Sequence, residues 1–116
     1  MKKITICIAI TAIIIFAQVP TVTTVSPIGI LDSSALAGGN VTSVGGSNLT
    51  QKGVCWNTTG SPTTANSKTL DVVATSTGFY GTGAGRYRSS INGLQPGTTY
   101  YMRAYATNGS GTGYGS

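Results

Sequence analysis

The stretch LQPGTTYYMRAYATN, Leu94 to Asn108, decides how this chain is read. From Tyr100 onward it alternates: Tyr100, Met102, Ala104 and Ala106 stand on one phase, and Tyr101, Arg103, Tyr105 and Thr107 on the other. Side chains alternate across a β-strand, so the first phase is expected to face a core and the second to face away from it. The turn before the strand is equally legible. Pro96 fixes φ, Gly97 permits a sharp bend, and Leu94 gives the turn an apolar anchor. Tyr100, at the strand's entrance, is expected to send its hydroxyl back to the backbone of that turn.

Working outward, the same grammar recurs. GGNVTSVGG around Asn40, QKGVCWN from Gln51 to Asn57, a looser run near Thr69 to Thr75, and RYRSSI from Arg86 to Ile91 are short β-type runs separated by Gly, Pro, Ser and Asn. PTVTTVSPIG, Pro20 to Gly29, reads as an edge strand, because Pro20 and Pro27 cannot donate to a ladder. The chain has 116 residues, 17 of them Gly, and only 8% are charged. One small all-β domain with a single core is expected, a sandwich of six or seven short strands.

Residues 1–17 differ from the rest. Lys2 and Lys3 precede a 13-residue, almost wholly apolar run from Ile4 to Phe16, and Ala17 supplies a small residue at a cleavage point. This is the pattern of a secretory signal peptide. A membrane span needs about 20 apolar residues, so no stable membrane span is expected once the signal is removed. Cys7 lies inside the apolar run and leaves with it. The domain then occupies 18–116 and the product is secreted or displayed at the cell surface.

Past residue 17 there remain five basic residues (Lys52, Lys68, Arg86, Arg88, Arg103) and two acidic ones (Asp32, Asp71), hence a net charge of +3. The basic residues are scattered over separate runs rather than gathered into a stripe, which argues against nucleic acid as a partner. One cysteine, Cys55, is left, so no intrachain disulfide can form and the core must hold the fold.

The residue inventory excludes most chemistry. With no His, no Glu and two Asp residues in separate loops, proton-transfer catalysis and triad-type nucleophiles lack their parts. No base is recognisable to activate Cys55. Metal binding fails on the same count, and no cofactor is expected. GTGAG, Gly81 to Gly85, has the glycines of a phosphate loop, but a strand follows it where a helix N-terminus would be required. The reading is therefore a non-enzyme. Four Asn-x-Ser/Thr sequons carry little weight in a Thr-rich β protein.

The blocks GGNVTSVGG, KGVCWNT, GTGAGRYRSSINGLQPGTTYYMRAYATN and GTGYGS together resemble the fibronectin type III-like repeat of exported and surface proteins of Bacteroidetes-type bacteria. The resemblance runs from Pro20 to Ser116. It implies an immunoglobulin-like antiparallel β-sandwich in which the Leu94–Tyr100 turn is the tyrosine corner, KGVCW lies on strand C and YMRAYATN is strand F. It implies a repeat module, a fragment of a larger architecture, whose neighbours are other domains of the same chain. On this reading strand G only begins at Tyr114 and looks truncated, leaving an unpaired edge beside strand F, to be filled by downstream sequence or by another chain.

Val54 and Trp56 are expected inside, Trp56 as the largest single contributor to the core, with Cys55 on the outer face. Strands C and F are neighbours, so Tyr101, Arg103 and Tyr105 would gather beside Cys55 on that outer face. Two functions follow. The domain is a spacer or structural unit of a larger protein, or this aromatic and basic face is an adhesion surface for a surface glycan or another protein. Export has a direct readout: mass spectrometry of the secreted product should find a mature N-terminus near Gln18, and intact Met1 on a cytoplasmic protein would refute it.

Overall fold

The computed structural model describes residues 18–116, apart from 72, 76, 77, 81 and 82. The proposed signal segment, residues 1–17, and the first two residues of GTGAG therefore lie outside the described residues. The described chain is all β, with no helix. Its strands are β1 (Thr21–Ile28), β2 (Ser34–Ser43), β3 (Gln51–Asn57), β4 (Ser67–Lys68), β5 (Val73–Thr75), β6 (Gly78–Tyr80), β7 (Gly85–Asn92), β8 (Tyr101–Asn108) and β9 (Gly111–Tyr114). They form a three-stranded sheet, β1-β2-β7, and a four-stranded sheet, β4-β3-β8-β9, both antiparallel. The strands β5 and β6 pair only with each other, as a hairpin between β4 and β7. Within the run near Thr69 to Thr75, where a looser strand is expected, the strand is β5, Val73–Thr75; β4 ends before the run, at Lys68, and belongs to another sheet.

The core lies between the two main sheets in two adjoining clusters. Val22, Val41, Leu49, Ala104 and Ala106 form one; Ala37, Val54 and Ile91 form the other, with Leu94, Met102 and Trp56 packed against it. Ala104, Ala106 and Met102 occupy the inward phase expected from the alternation. On β3, Val54 is fully buried, but Trp56 is only half-buried, and the largest fully buried side chain is Tyr105. Trp56 points inward as expected. It stands one residue from the end of its strand and lines two surface concavities.

Small residues let the sheets approach. A side chain on Gly39 of β2 would come within 2.6 Å of the Ala104 Cβ and 2.7 Å of the Tyr87 hydroxyl. That hydroxyl belongs to β7 and crosses to the opposite sheet, where it lies 2.6 Å from the carbonyl oxygen of Gly53 and 3.0 Å from that of Tyr105. These two residues face one another in the β3–β8 register.

The Leu94–Tyr100 turn folds as the sequence requires: the Gln95 N–H donates to the Tyr100 hydroxyl at 2.9 Å, and Gly97 takes the left-handed φ of +71°. Strand β9 is short but complete in its pairing. It begins at Gly111, after a tight turn, and matches Tyr105 to Asn108 residue for residue. The Gly115 N–H then donates to the Ala104 carbonyl at 2.8 Å, and the Ala104 N–H donates to Thr24 Oγ1 of β1 at 3.0 Å. Along Ala104 to Asn108 the expected unpaired edge is therefore absent, because the turn closes three residues earlier than the sequence suggested.

Gly39→Ala should cost about 1–3 kcal/mol in urea unfolding, since neither the Ala104 Cβ, fixed to its backbone, nor the tethered Tyr87 ring can yield easily. Tyr100→Phe should cost about 0.5–1.5 kcal/mol for one partly exposed hydrogen bond. Tyr101→Phe, on an exposed ring, should leave stability unchanged. Equal losses for the two tyrosines would show that the strand phase is misassigned.

Candidate functional site

The expected adhesion surface was the outer face of β3 and β8, built from Tyr101, Arg103 and Tyr105 beside Cys55. The register does bring them together: Cys55 faces Arg103, Gly53 faces Tyr105 and Asn57 faces Tyr101. Their availability is another matter. Tyr105 is 0% exposed and Cys55 is 0% exposed, while Tyr101 is 51% exposed. The open aromatic face does not form.

What closes it is the segment from Ser61 to Asp71. Its Pro62 carbonyl accepts the Arg103 Nε–H at 2.6 Å and sits 3.6 Å from Cys55 Sγ. Its Thr69 carbonyl accepts the Tyr105 hydroxyl. That carbonyl stands where a side chain on Gly53 would be, so Gly53 is the residue that lets the segment lie down on the sheet. The Arg103 guanidinium stacks over the Tyr114 ring, 4.1 Å from its centroid, and the Tyr114 hydroxyl accepts the Thr64 N–H at 3.1 Å. Arg103 and Tyr105 are thus spent on internal contacts, and Tyr101 alone of the three presents an exposed ring. Periodicity assigned these side chains correctly to the outer face. It could not show that the chain would return over that face.

The same segment turns inward at its end and builds a polar cluster at the edge of the sandwich. Thr69 Oγ1 accepts the Val54 N–H at 3.0 Å and lies 3.0 Å from Ser89 Oγ and 3.1 Å from Asp71 Oδ2. Ser89, 1% exposed, also donates to the Asp71 carboxylate. Lys52, on the inward phase of β3 with Val54 and Trp56, is 7% exposed, and its ammonium lies 5.2 Å from the Tyr87 ring centroid. Burial pulls the Lys52 pKa below its ordinary value of 10.5, with the Asp71 charge offsetting part of the shift. Burial, aided by Asp71, pushes both Tyr87 and Tyr105 well above the ordinary phenol value of 10. The Cys55 thiol is pushed up by burial as well, against a smaller opposing pull from Arg103. A thiol held protonated is a poor nucleophile. The cluster is a structural clasp: its hydroxyls are satisfied by one another, and among the described residues no buried side-chain nitrogen or oxygen lacks a partner. A lysine on the inward phase was the sequence signal for it, and it went unread because Asp71 sits outside any regular run.

A second concavity was not anticipated. Trp56, Leu94, Pro96 and Tyr100, expected to serve the core and the turn, all line one cleft of about 360 Å³ at the end of the sandwich, together with Met102 and Ile91. It lies between the β1–β2 turn, the end of β3 and the Leu94–Tyr100 turn. Trp56 and Tyr100 also border a shallower hollow beside Asn57, Asn66 and Ser67. Comparison with family models, curated proteins and solved structures finds no match to this chain.

The buried phenols give stability an alkaline limit. Each has a folded pKa raised above the unfolded value near 10, so its contribution is complete below pH 10 and is lost as pH rises through the folded value. Lys52 acts oppositely: its penalty is complete at neutral pH and relieved as pH approaches 10.5. Above about pH 10 two phenols outweigh one ammonium. Urea midpoints should fall steeply there, with part of the tyrosinate absorbance appearing only with unfolding. In Tyr105→Phe that decline should be shallower. Tyrosinate signal developing completely before the fold is lost would contradict the burial of Tyr87 and Tyr105.

Proposed function

We propose that this chain is a non-catalytic, fibronectin type III-like module, exported after removal of residues 1–17, that serves as a spacer or structural unit of a larger surface or secreted bacterial protein. Its neighbours on this reading are other domains of the same polypeptide.

The observation that carries the fold assignment is the strand order. With β5 and β6 set aside as an inserted hairpin, the order β1-β2-β7 against β4-β3-β8-β9 supports reading the sheets as A-B-E and C′-C-F-G, and the Gln95–Tyr100 hydrogen bond supports reading the Leu94–Tyr100 turn as a tyrosine corner. The spacer role draws support from the closed outer face. Arg103 and Tyr105 hold the domain's own covering segment, and the ionisable groups that burial perturbs are tied into packing rather than aimed into a cleft. The alternative, glycan or protein adhesion through the face of strands C and F, would have to work through Tyr101 and little else.

The secreted product should pass over immobilised surface glycans without retention and scatter X-rays as a folded monomer with a radius of gyration of about 13 Å. Retention that is lost in both Tyr101→Ala and Arg103→Ala would overturn the spacer reading in favour of adhesion through that face.

A further inference from the structure

The end cleft has a chemical character of its own. Its floor is the outer margin of the second core cluster, Ile91, Leu94 and Met102, and its walls include the rings of Trp56 and Tyr100. At the rim, Ile30 and Leu31 of the β1–β2 turn are 69% and 68% exposed. Two large aliphatic side chains held in water beside a half-covered tryptophan are the kind of surface that a ligand covers. The volume lies within the range of small-molecule sites.

The lining also limits what can enter. Among the described residues Asp32 is the only charged side chain of the lining, and the uncharged polar side-chain groups are those of Gln95 and Thr98, the Trp56 indole N–H and the Tyr100 hydroxyl. That hydroxyl already accepts the Gln95 N–H. A sugar would bring more hydroxyls than these groups can satisfy and would lose hydration without replacement. An anion would meet the Asp32 carboxylate with no cation in the lining to offset it. A neutral apolar body would fit the floor yet make nothing of Asp32.

We propose that this cleft binds a small amphiphilic amine, its compact aromatic or aliphatic body held between Trp56, Tyr100 and Met102 and its ammonium group turned to Asp32 at the rim. The site is independent of the spacer reading, since it uses none of the residues that close the outer face. Trp56 is the chain's only tryptophan and stands in the cleft wall, so the site carries its own reporter.

The test is a Trp56 fluorescence titration, excited where phenyl groups do not absorb, with 4-phenylbutylamine, 4-phenylbutanol and 4-phenylbutyrate. The amine should give a saturable blue shift, binding about fivefold more tightly than the alcohol, as expected for one partly exposed charge pair, and the carboxylate should bind more weakly than either. Asp32→Asn, on an exposed turn, should bring the amine down to the alcohol's affinity without altering the alcohol's. Ala35→Phe, which places a ring in the cleft, should abolish the shift for all three; should that variant misfold, the amine-to-alcohol ratio in Asp32→Asn still decides. No saturable shift with the amine, equal affinities for the three probes, or a ratio unmoved by Asp32→Asn would overturn the proposal. So would a dimer in light scattering that the amine dissociates, because the cleft would then belong to a second copy of the chain.

Discussion

The Tyr87 hydroxyl ties the two sheets together through their interior. Tyr87 reaches from β7 across the interior to the facing carbonyls of Gly53 and Tyr105, and this reach sets what its surroundings can be. Gly39 must be bare, because the hydroxyl and the Ala104 methyl occupy the space a side chain would take. Ala104, facing Gly39, is held small by the same crowding. The core is consequently thin in this region, and its larger side chains, Val22, Val41 and Leu49 on one side and Val54 and Ile91 on the other, are disposed in two clusters.

Alanine and glycine at this crossing supply less apolar burial than leucine or phenylalanine would. The covering segment adds some back. By laying Pro62 and Thr69 over β3 and β8 it buries Cys55 and Tyr105 on what would otherwise be a solvated face, giving the four-stranded sheet packed side chains on both surfaces. Side-chain hydrogen bonds at the Arg103 guanidinium, the Tyr105 and Tyr114 hydroxyls and Thr69 position the segment, and backbone bonds from the Thr69 N–H to the Val54 carbonyl and from the Asp71 N–H to the Lys52 carbonyl add to them. None of these is worth much alone. Together they fix one path of the chain over the sheet.

The two ends of the sandwich are unlike. At one, the buried Asn108 amide donates to the carbonyls of Gln18 and Val44, and its oxygen accepts the Ser110 N–H, so that the chain's entry, the β2–β3 turn and the β8–β9 turn are held by one side chain. At the other, Trp56 and Tyr100 are left half-covered and the β1–β2 turn carries Ile30 and Leu31 into solvent. The proposed amine site lies at the apolar, open end, away from the face to which aromatic periodicity pointed.

The alternation of Tyr100 to Thr107, with Pro96 and Gly97 before it, was enough by itself to fix an all-β chain, the inward phase of β8 and the bond from the turn to Tyr100, because each depends only on strand geometry and on residues within one turn of each other. Val54 facing the core and Cys55 facing away followed from the same two-residue period. Whether an outward side chain meets water was decided elsewhere. Tyr105 and Arg103 are covered by a segment more than thirty residues away in sequence, whose path depends on Gly53 being bare and on Thr69 finding Val54, Ser89 and Asp71 together. Trp56 lies not at the centre of the core but at its margin, in the wall of the end cleft, a boundary that no local pattern marks. Period and turn chemistry are local and can be read along the chain; coverage is a property of what returns to pack on it, and only the folded arrangement supplies that.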